Sequence, residues 1–259
     1  MSIEVVEGDA AQENVVGLPA NVLLYGGPGV GKTTDAVTAF TKDGRCSAFV
    51  IPCEDGALKP IAARRLPVPG HVKTTVKSWP QLVEAFGWLL QNRGRYSAVI
   101  LDGLTALTNN LYREAGEQFK GNKNKFEIPN FVRNCLFLIR EWSRYIGMHS
   151  VFVAHVLPPA VVDGVFYPGS PLLQPKSMIN DYYGLIDTIL RVDYVAMPGQ
   201  NPMRVYYTGG NDWPSKLTMA QPPDWRQWRA KNREGCASAI VPADLGAFLR
   251  ARQPPYHGL

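Results

Sequence analysis

The stretch that decides the fold is Asn21–Thr34, NVLLYGGPGVGKTT. Val22 to Tyr25 is a short apolar run of the kind a buried strand makes, and a helical pattern runs on from the end of the stretch through Phe40. Between them stands Gly26-x-x-x-x-Gly31-Lys32-Thr33, so strand, glycine loop and helix follow in the order of a phosphate-binding loop. The glycines let backbone N–H groups turn inward around a β-phosphate, and the helix start adds the positive end of its dipole. Gly26, Gly27, Pro28, Gly29, Val30, Gly31, Lys32, Thr33 and Thr34 are therefore the expected ATP-binding residues. Lys32 is expected to reach the β- and γ-phosphates, and the Thr33 hydroxyl to ligate Mg2+.

Such a loop needs an acidic strand beside it, and YSAVILDGLTAL (Tyr96–Leu107) supplies one. Val99 to Leu101 is apolar and too short for a helix, and Asp102 stands at its end, where it is expected to hold Mg2+ through water; the plainer reading is an Asp-Gly turn. In SAFVIPCEDGALKPIAARRL (Ser47–Leu66), Ala48 to Cys53 read as a strand with Glu54 at its end. If that strand lies beside the phosphate-loop strand, Glu54 points across the cleft and orients or deprotonates the attacking water; otherwise it is a surface acid in a Glu-Asp-Gly turn. A third apolar run, HSVFVAH, follows an amphipathic helix pattern from about Asn130 to Tyr145 and ends in His155, either a group facing the γ-phosphate or simply the cap of a strand.

The bulk properties fit a globular chain. Of 259 residues, 46% are hydrophobic, enough for a sizeable core, and no apolar run reaches the roughly 20 residues of a spanning helix. The amino terminus, MSIEVVEGDAAQEN, is acidic where a signal peptide would be basic, so a cytoplasmic protein without a membrane partner is expected. An acidic segment over 1–18, expected to be flexible, precedes a single domain over 19–259. Cys46, Cys53, Cys135 and Cys236 are scattered, with no C-x-x-C pair, and read as reduced thiols and not as zinc ligands or disulfides. The net charge of +5 leans toward the C-terminal part, where nine Lys/Arg face five Asp/Glu from Arg191 onward.

Asp102 is followed by Gly103, whereas AAA-plus ATPases usually place a water-activating glutamate directly after this aspartate. AFVIPCEDGALKPIAARRL instead resembles the RecA-family segment that carries its catalytic glutamate at a strand end before a short helix, with Glu54 at the matching place. Pro52, just before the strand tip, and Gly56, in place of a helix-favouring residue, depart from that pattern. His155 stands where RecA-like ATPases keep a polar γ-phosphate sensor, and AKNREG resembles the K-N-R-x-G motif of the RadA branch. The resemblance implies that Lys231 and Arg233 act as fingers on the next subunit's ATP; two residues apart on a strand they share a face, and the alternative is a solvated basic edge. Trp225 and Trp228 read as core or interface anchors.

From about Asn21 to Gly235 the chain resembles the small phage-encoded RecA-like ATPases of single-strand annealing and recombination, through GGPGVGKTT, KSWPQLVEAFGWLL, LDGLTAL and GLIDTILRV. The fold this implies is an α/β RecA-like core, a mostly parallel sheet flanked by helices, with antiparallel strands toward the C-terminus. The implied partners are single-stranded DNA, further copies of the chain in a ring or filament, and a single-strand-binding protein. In this family the segments after the Asp102 and His155 strands face the DNA, which makes Lys120, Lys123, Lys125, Tyr167 and Lys176 candidate contacts; a solvated lysine loop is the plain alternative. A minimal DnaB-like motor and a nucleotide-gated assembly module with a protein partner are the other readings. The lack of an amino-terminal domain or long linker helix speaks against the motor.

Overall fold

The computed structural model describes residues 5–6, 19–121, 126–162, 165–167, 169–176, 179–196, 201–207, 216–217 and 240–251. The main sheet is built from β1 (Val5–Val6), β2 (Asn21–Gly26), β5 (Ala48–Pro52), β6 (Gly70–Val72), β7 (Ala98–Asp102), β8 (His149–Leu157), β12 (Thr188–Val195), β13 (Met203–Tyr207) and β15 (Ile240–Pro242). Its order is β1-β6-β5-β7-β8-β2-β12-β13-β15, with β11 (Ser170–Pro171) on β8 and β14 (Lys216–Leu217) on β12. The strands from β6 to β12 are parallel, and β13, β14 and β15 are antiparallel additions on the C-terminal side. Two short ribbons stand apart, β3 (Thr41–Lys42) with β4 (Arg45–Cys46), and β9 (Ala160–Val162) with β10 (Val165–Tyr167). This is the α/β arrangement that the sequence resemblance implies, a mostly parallel sheet flanked by helices with antiparallel strands toward the C-terminus.

Parallel strands are joined by helices that cover both faces, so their residues are apolar throughout. In β2 every residue is buried, and alternate side chains serve opposite cores. Leu23 and Tyr25 enter the core beneath α3 (Trp79–Gln91), α4 (Leu104–Gln118), α5 (Glu127–Ile146) and α6 (Ile179–Leu185). Val22 and Leu24 enter the one covered by α1 (Lys32–Thr38), α2 (Lys59–Ala63) and α7 (Leu245–Ala251). Each such fully buried side chain contributes about 1.5–3 kcal/mol. The start of β2 is tied to the start of β12, since Asn21 donates from its backbone N–H (3.0 Å) and its Nδ2 (3.2 Å) to the Asp187 carboxylate.

The two segments that the resemblance places against DNA are largely regular where they are described. Most of Arg113–Asn130 is the end of α4 and the start of α5, with residues 122–125 outside the described set. The stretch after His155 contains the β9–β10 hairpin, in which Val162 pairs with Val165. Asp-Gly between β-branched and aromatic residues, VVDGVFY, is a two-residue hairpin signal that the proline content of the segment obscures.

α5 and α2 end in the same way. Met148 and Gly147 donate to the carbonyls of Ser143 and Arg144, with Gly147 at φ 82°. Leu66 and Arg65 donate to those of Ile61 and Ala62, with Arg65 at φ 52°. This closure needs a left-handed residue, which suits glycine and strains arginine. Arg65→Gly should therefore raise unfolding free energy by about 0.5–1 kcal/mol, the relieved strain exceeding the added chain entropy, and urea denaturation should show a higher midpoint.

Candidate nucleotide site

The strand register gathers the motifs at the carboxyl edge of the parallel sheet, where open α/β sheets bind ligands. Gly26 lies opposite His155, Asp102 opposite Val153, and Pro52 opposite Asp102. The result is a cleft of about 230 Å3 lined by Pro28, Gly29, Gly31, Lys32, Thr33, Thr34, Glu54, Asp102 and His155, among others. One neighbourhood differs from expectation. The strand leading to Glu54 is not beside the phosphate-loop strand, because β7 and β8 lie between β5 and β2.

Glu54 reaches the cleft by its turn. Pro52 closes β5 without breaking the ladder: its carbonyl accepts from Val76 N–H (2.8 Å), and Cys53 N–H donates to Asp102 O (2.7 Å). Gly56 adopts φ +87°, which lets the chain turn into α2. The Glu54 side chain then lies over Gly103. A Cβ on Gly103, whose φ is +101°, would come within 2.8 Å of Glu54 Cγ. The two observations share one cause: the position after Asp102 carries no side chain because the glutamate arriving from the neighbouring strand fills that space. Glu54 Oε2 is 3.1 Å from His155 Nε2, and both side chains are about one-third exposed, at 33% and 37%. His155 is not the end of its strand, since β8 continues to Leu157 with β11 paired to it; its backbone N–H donates to Thr105 Oγ1 at 2.9 Å, which ties β8 to the first turn of α4.

On the opposite wall, Lys32 is buried and donates to the carbonyls of Gly26 (3.0 Å) and Gly27 (2.7 Å). An ammonium has three donors, so one is left for a phosphate oxygen. Burial lowers the Lys32 pKa, and the Asp102 and Glu54 carboxylates partly oppose that. Thr33 Oγ1 donates to Asp102 Oδ2 at 2.8 Å. Burial pushes the Asp102 pKa up to about 7, with Glu54 raising it further while the Thr33 hydrogen bond and Lys32 lower it. Asp102 Oδ1 is buried with no hydrogen-bond partner among the described residues. A hydroxyl beside a carboxylate that keeps an unsatisfied buried oxygen is the donor set of a hard divalent cation, so Thr33 and Asp102 fit Mg2+.

A second cluster behind the loop has no counterpart in the sequence reading. Asp35, on the inner face of α1, is 4% exposed. It pairs with Arg204 Nη2 of β13 at 2.9 Å and accepts a hydrogen bond from the Tyr206 hydroxyl. Arg204 Nη1 also donates to the carbonyl of Gly31 at 3.3 Å. Burial raises the Asp35 pKa, with Arg204 the main opposing influence. A buried aspartate two residues after Thr33 was the available signal, since such a charge needs a partner.

Other candidates stand elsewhere. Lys120 is exposed on the turn after α4, whose 15 residues rise about 22 Å from Gly103. Lys176 is exposed, and Tyr167 belongs to β10. Lys123, Lys125, Trp225, Trp228, Lys231 and Arg233 lie outside the described residues.

Residues 18–216 match the protein family described as AAA domain. This chain belongs to the AAA domain family. Membership and the site together make this AAA domain a nucleotide-binding P-loop ATPase. Among solved structures it is similar to a KaiC-like protein from the hyperthermophilic archaeon Pyrococcus horikoshii OT3, at 12% identity and a TM-score of 0.44, over 79% of this chain and 87% of the other. No curated protein matches it. No helix among its described residues is long and apolar enough to cross a membrane.

Arg204→Ala leaves the Asp35 carboxylate buried without its cation, and should lower unfolding free energy by about 3 kcal/mol. Adding Asp35→Asn should recover part of that loss by removing the stranded charge, as read from paired urea melts.

Proposed function

We propose that this AAA domain hydrolyses Mg-ATP as a RecA-like protein acting on single-stranded DNA in annealing or recombination, assembled head to tail in a ring or filament, and that it is phage-encoded. The hydrolytic part rests on the convergence of Lys32, Thr33, Asp102 and Glu54 on one cleft. Thr33 and Asp102 would hold Mg2+, which when bound would neutralise phosphate charge. Lys32 offers its third N–H to the β- and γ-phosphates. Glu54 accepts the proton of a water that attacks the γ-phosphorus, while the bond to the β–γ bridging oxygen breaks and ADP departs with that electron pair. His155 holds Glu54 in place through the 3.1 Å contact and registers the γ-phosphate.

The assembly part rests on the sequence resemblance. Lys231 and Arg233 from the next copy would complete the charge around the transferred phosphoryl group, coupling hydrolysis to assembly. Lys120, Lys123, Lys125, Tyr167 and Lys176 are the proposed DNA contacts, and a single-strand-binding protein a further partner. One observation favours a second reading, a nucleotide-gated module for a protein partner. From Pro158 to Pro175 the chain has no Lys or Arg, and the hairpin exposes Val161 and Val162 at 68% and 51%.

Steady-state ATP hydrolysis with Mg2+, with and without single-stranded DNA, tests both. Lys32→Ala should abolish activity, and Glu54→Gln should lower turnover by about 100-fold or more while ATP still binds. DNA should stimulate the unsubstituted protein, and Lys231→Ala should remove that stimulation. Hydrolysis indifferent to DNA would favour the protein-partner module.

A further inference from the structure

The wall of the cleft facing the phosphate loop is made by the turn after Glu54 and by α2. Ala57 of that turn, Pro60 in the first turn of α2 and Arg64 at its C-terminal cap line it. Arg64 is exposed, and its guanidinium has no hydrogen-bond or ion-pair partner among the described residues. Its position is nonetheless defined. It caps α2, and the helix end is closed by the bonds from Arg65 and Leu66 to Ala62 and Ile61, with Ile61 buried and Leu66 packed against the core. The chain leaves the helix directly after Arg64 through the left-handed Arg65. The backbone is thus fixed at a point of the cleft wall from which an arginine without a protein partner among the described residues lines the site.

The charges around it suggest a use. Lys32 faces two carboxylates, Asp102 and Glu54, which offset its charge before any ligand enters. A triphosphate needs more positive potential than Mg2+ and Lys32 supply against those carboxylates. The further cations of the sequence reading, Lys231 and Arg233, belong to another copy. Among the described residues, Arg64 and Lys32 are the arginine and lysine that line the cleft. Arg64 shares its turn-and-helix segment with Glu54, the group facing the γ-phosphate end, and a guanidinium presents a planar fork suited to phosphate oxygens.

We propose that Arg64 binds the terminal phosphate of the nucleotide from within the same chain. This rests on the ATP reading above and deepens it: preference for a triphosphate belongs to the single chain, whereas turnover depends on assembly.

Calorimetric titration of the full chain with Mg2+ and either ADP or the β,γ-imido analogue of ATP tests it without hydrolysis. Arg64→Ala should weaken the triphosphate analogue about 10-fold or more, as expected for a lost charged hydrogen bond, and ADP by no more than about 2-fold. The nucleotide-free melting temperature should stay unchanged, because the side chain has no protein partner. Equal weakening of both ligands would overturn the assignment by placing Arg64 on the part they share. Unchanged binding of both would overturn it and leave the ATP reading standing. If the unsubstituted protein binds neither nucleotide, both readings fall.

Discussion

The parallel hydrogen-bond ladder that joins β2, β8, β7 and β5 is the constraint on which the rest depends. Backbone pairing is indifferent to side chains, yet its register puts Gly26, His155, Asp102 and Pro52 at one edge. Slipping one strand by a single residue would turn its alternating side chains to the opposite core and carry its tip residue out of the cleft. Because β2 feeds both cores, the apolar packing on the two faces defends that register. The stability of the domain and the geometry of the site are therefore one property.

The site keeps charge in places where water is excluded, and each case is handled differently. Asp35 has a cation, a hydroxyl and a place behind the loop, so its charge is satisfied by the protein. Asp102 has a hydroxyl on one oxygen and, among the described residues, nothing on the other, which suits a cation from outside. Lys32 is satisfied by loop carbonyls on two of its donors. Structural charges and ligand-directed charges are distinguished here by what remains unsatisfied.

Glu54 and Gly103 show how two sequence positions far apart become one steric unit. A glycine after Asp102 is, in sequence, only the lack of a glutamate. In the fold it is the space that the Glu54 side chain fills, and a side chain there would collide with it. His155 then meets the same carboxylate from a third strand. A single-chain pattern search cannot see such a dependence, since it is carried by van der Waals contact and not by spacing.

Much of this was legible in the chain itself. NVLLYGGPGVGKTT determined the strand, loop and helix around the phosphate site, because apolar run length and glycine placement act locally. The same local signals marked Asp102 and Glu54 as polar groups at strand ends; His155 was read as a strand end too, but β8 runs on to Leu157 because β11 pairs with Val156 and Leu157. The order of strands was decided only by tertiary packing, which put β7 and β8 between β5 and β2 where sequence reading entertained direct neighbours. The Asp35–Arg204–Tyr206 cluster was likewise beyond reach, since its members lie 169 and 171 residues apart and meet only when β13 is added to the sheet. Local physics writes elements and their tips into the sequence; which tips touch follows from how buried faces pair across the whole chain.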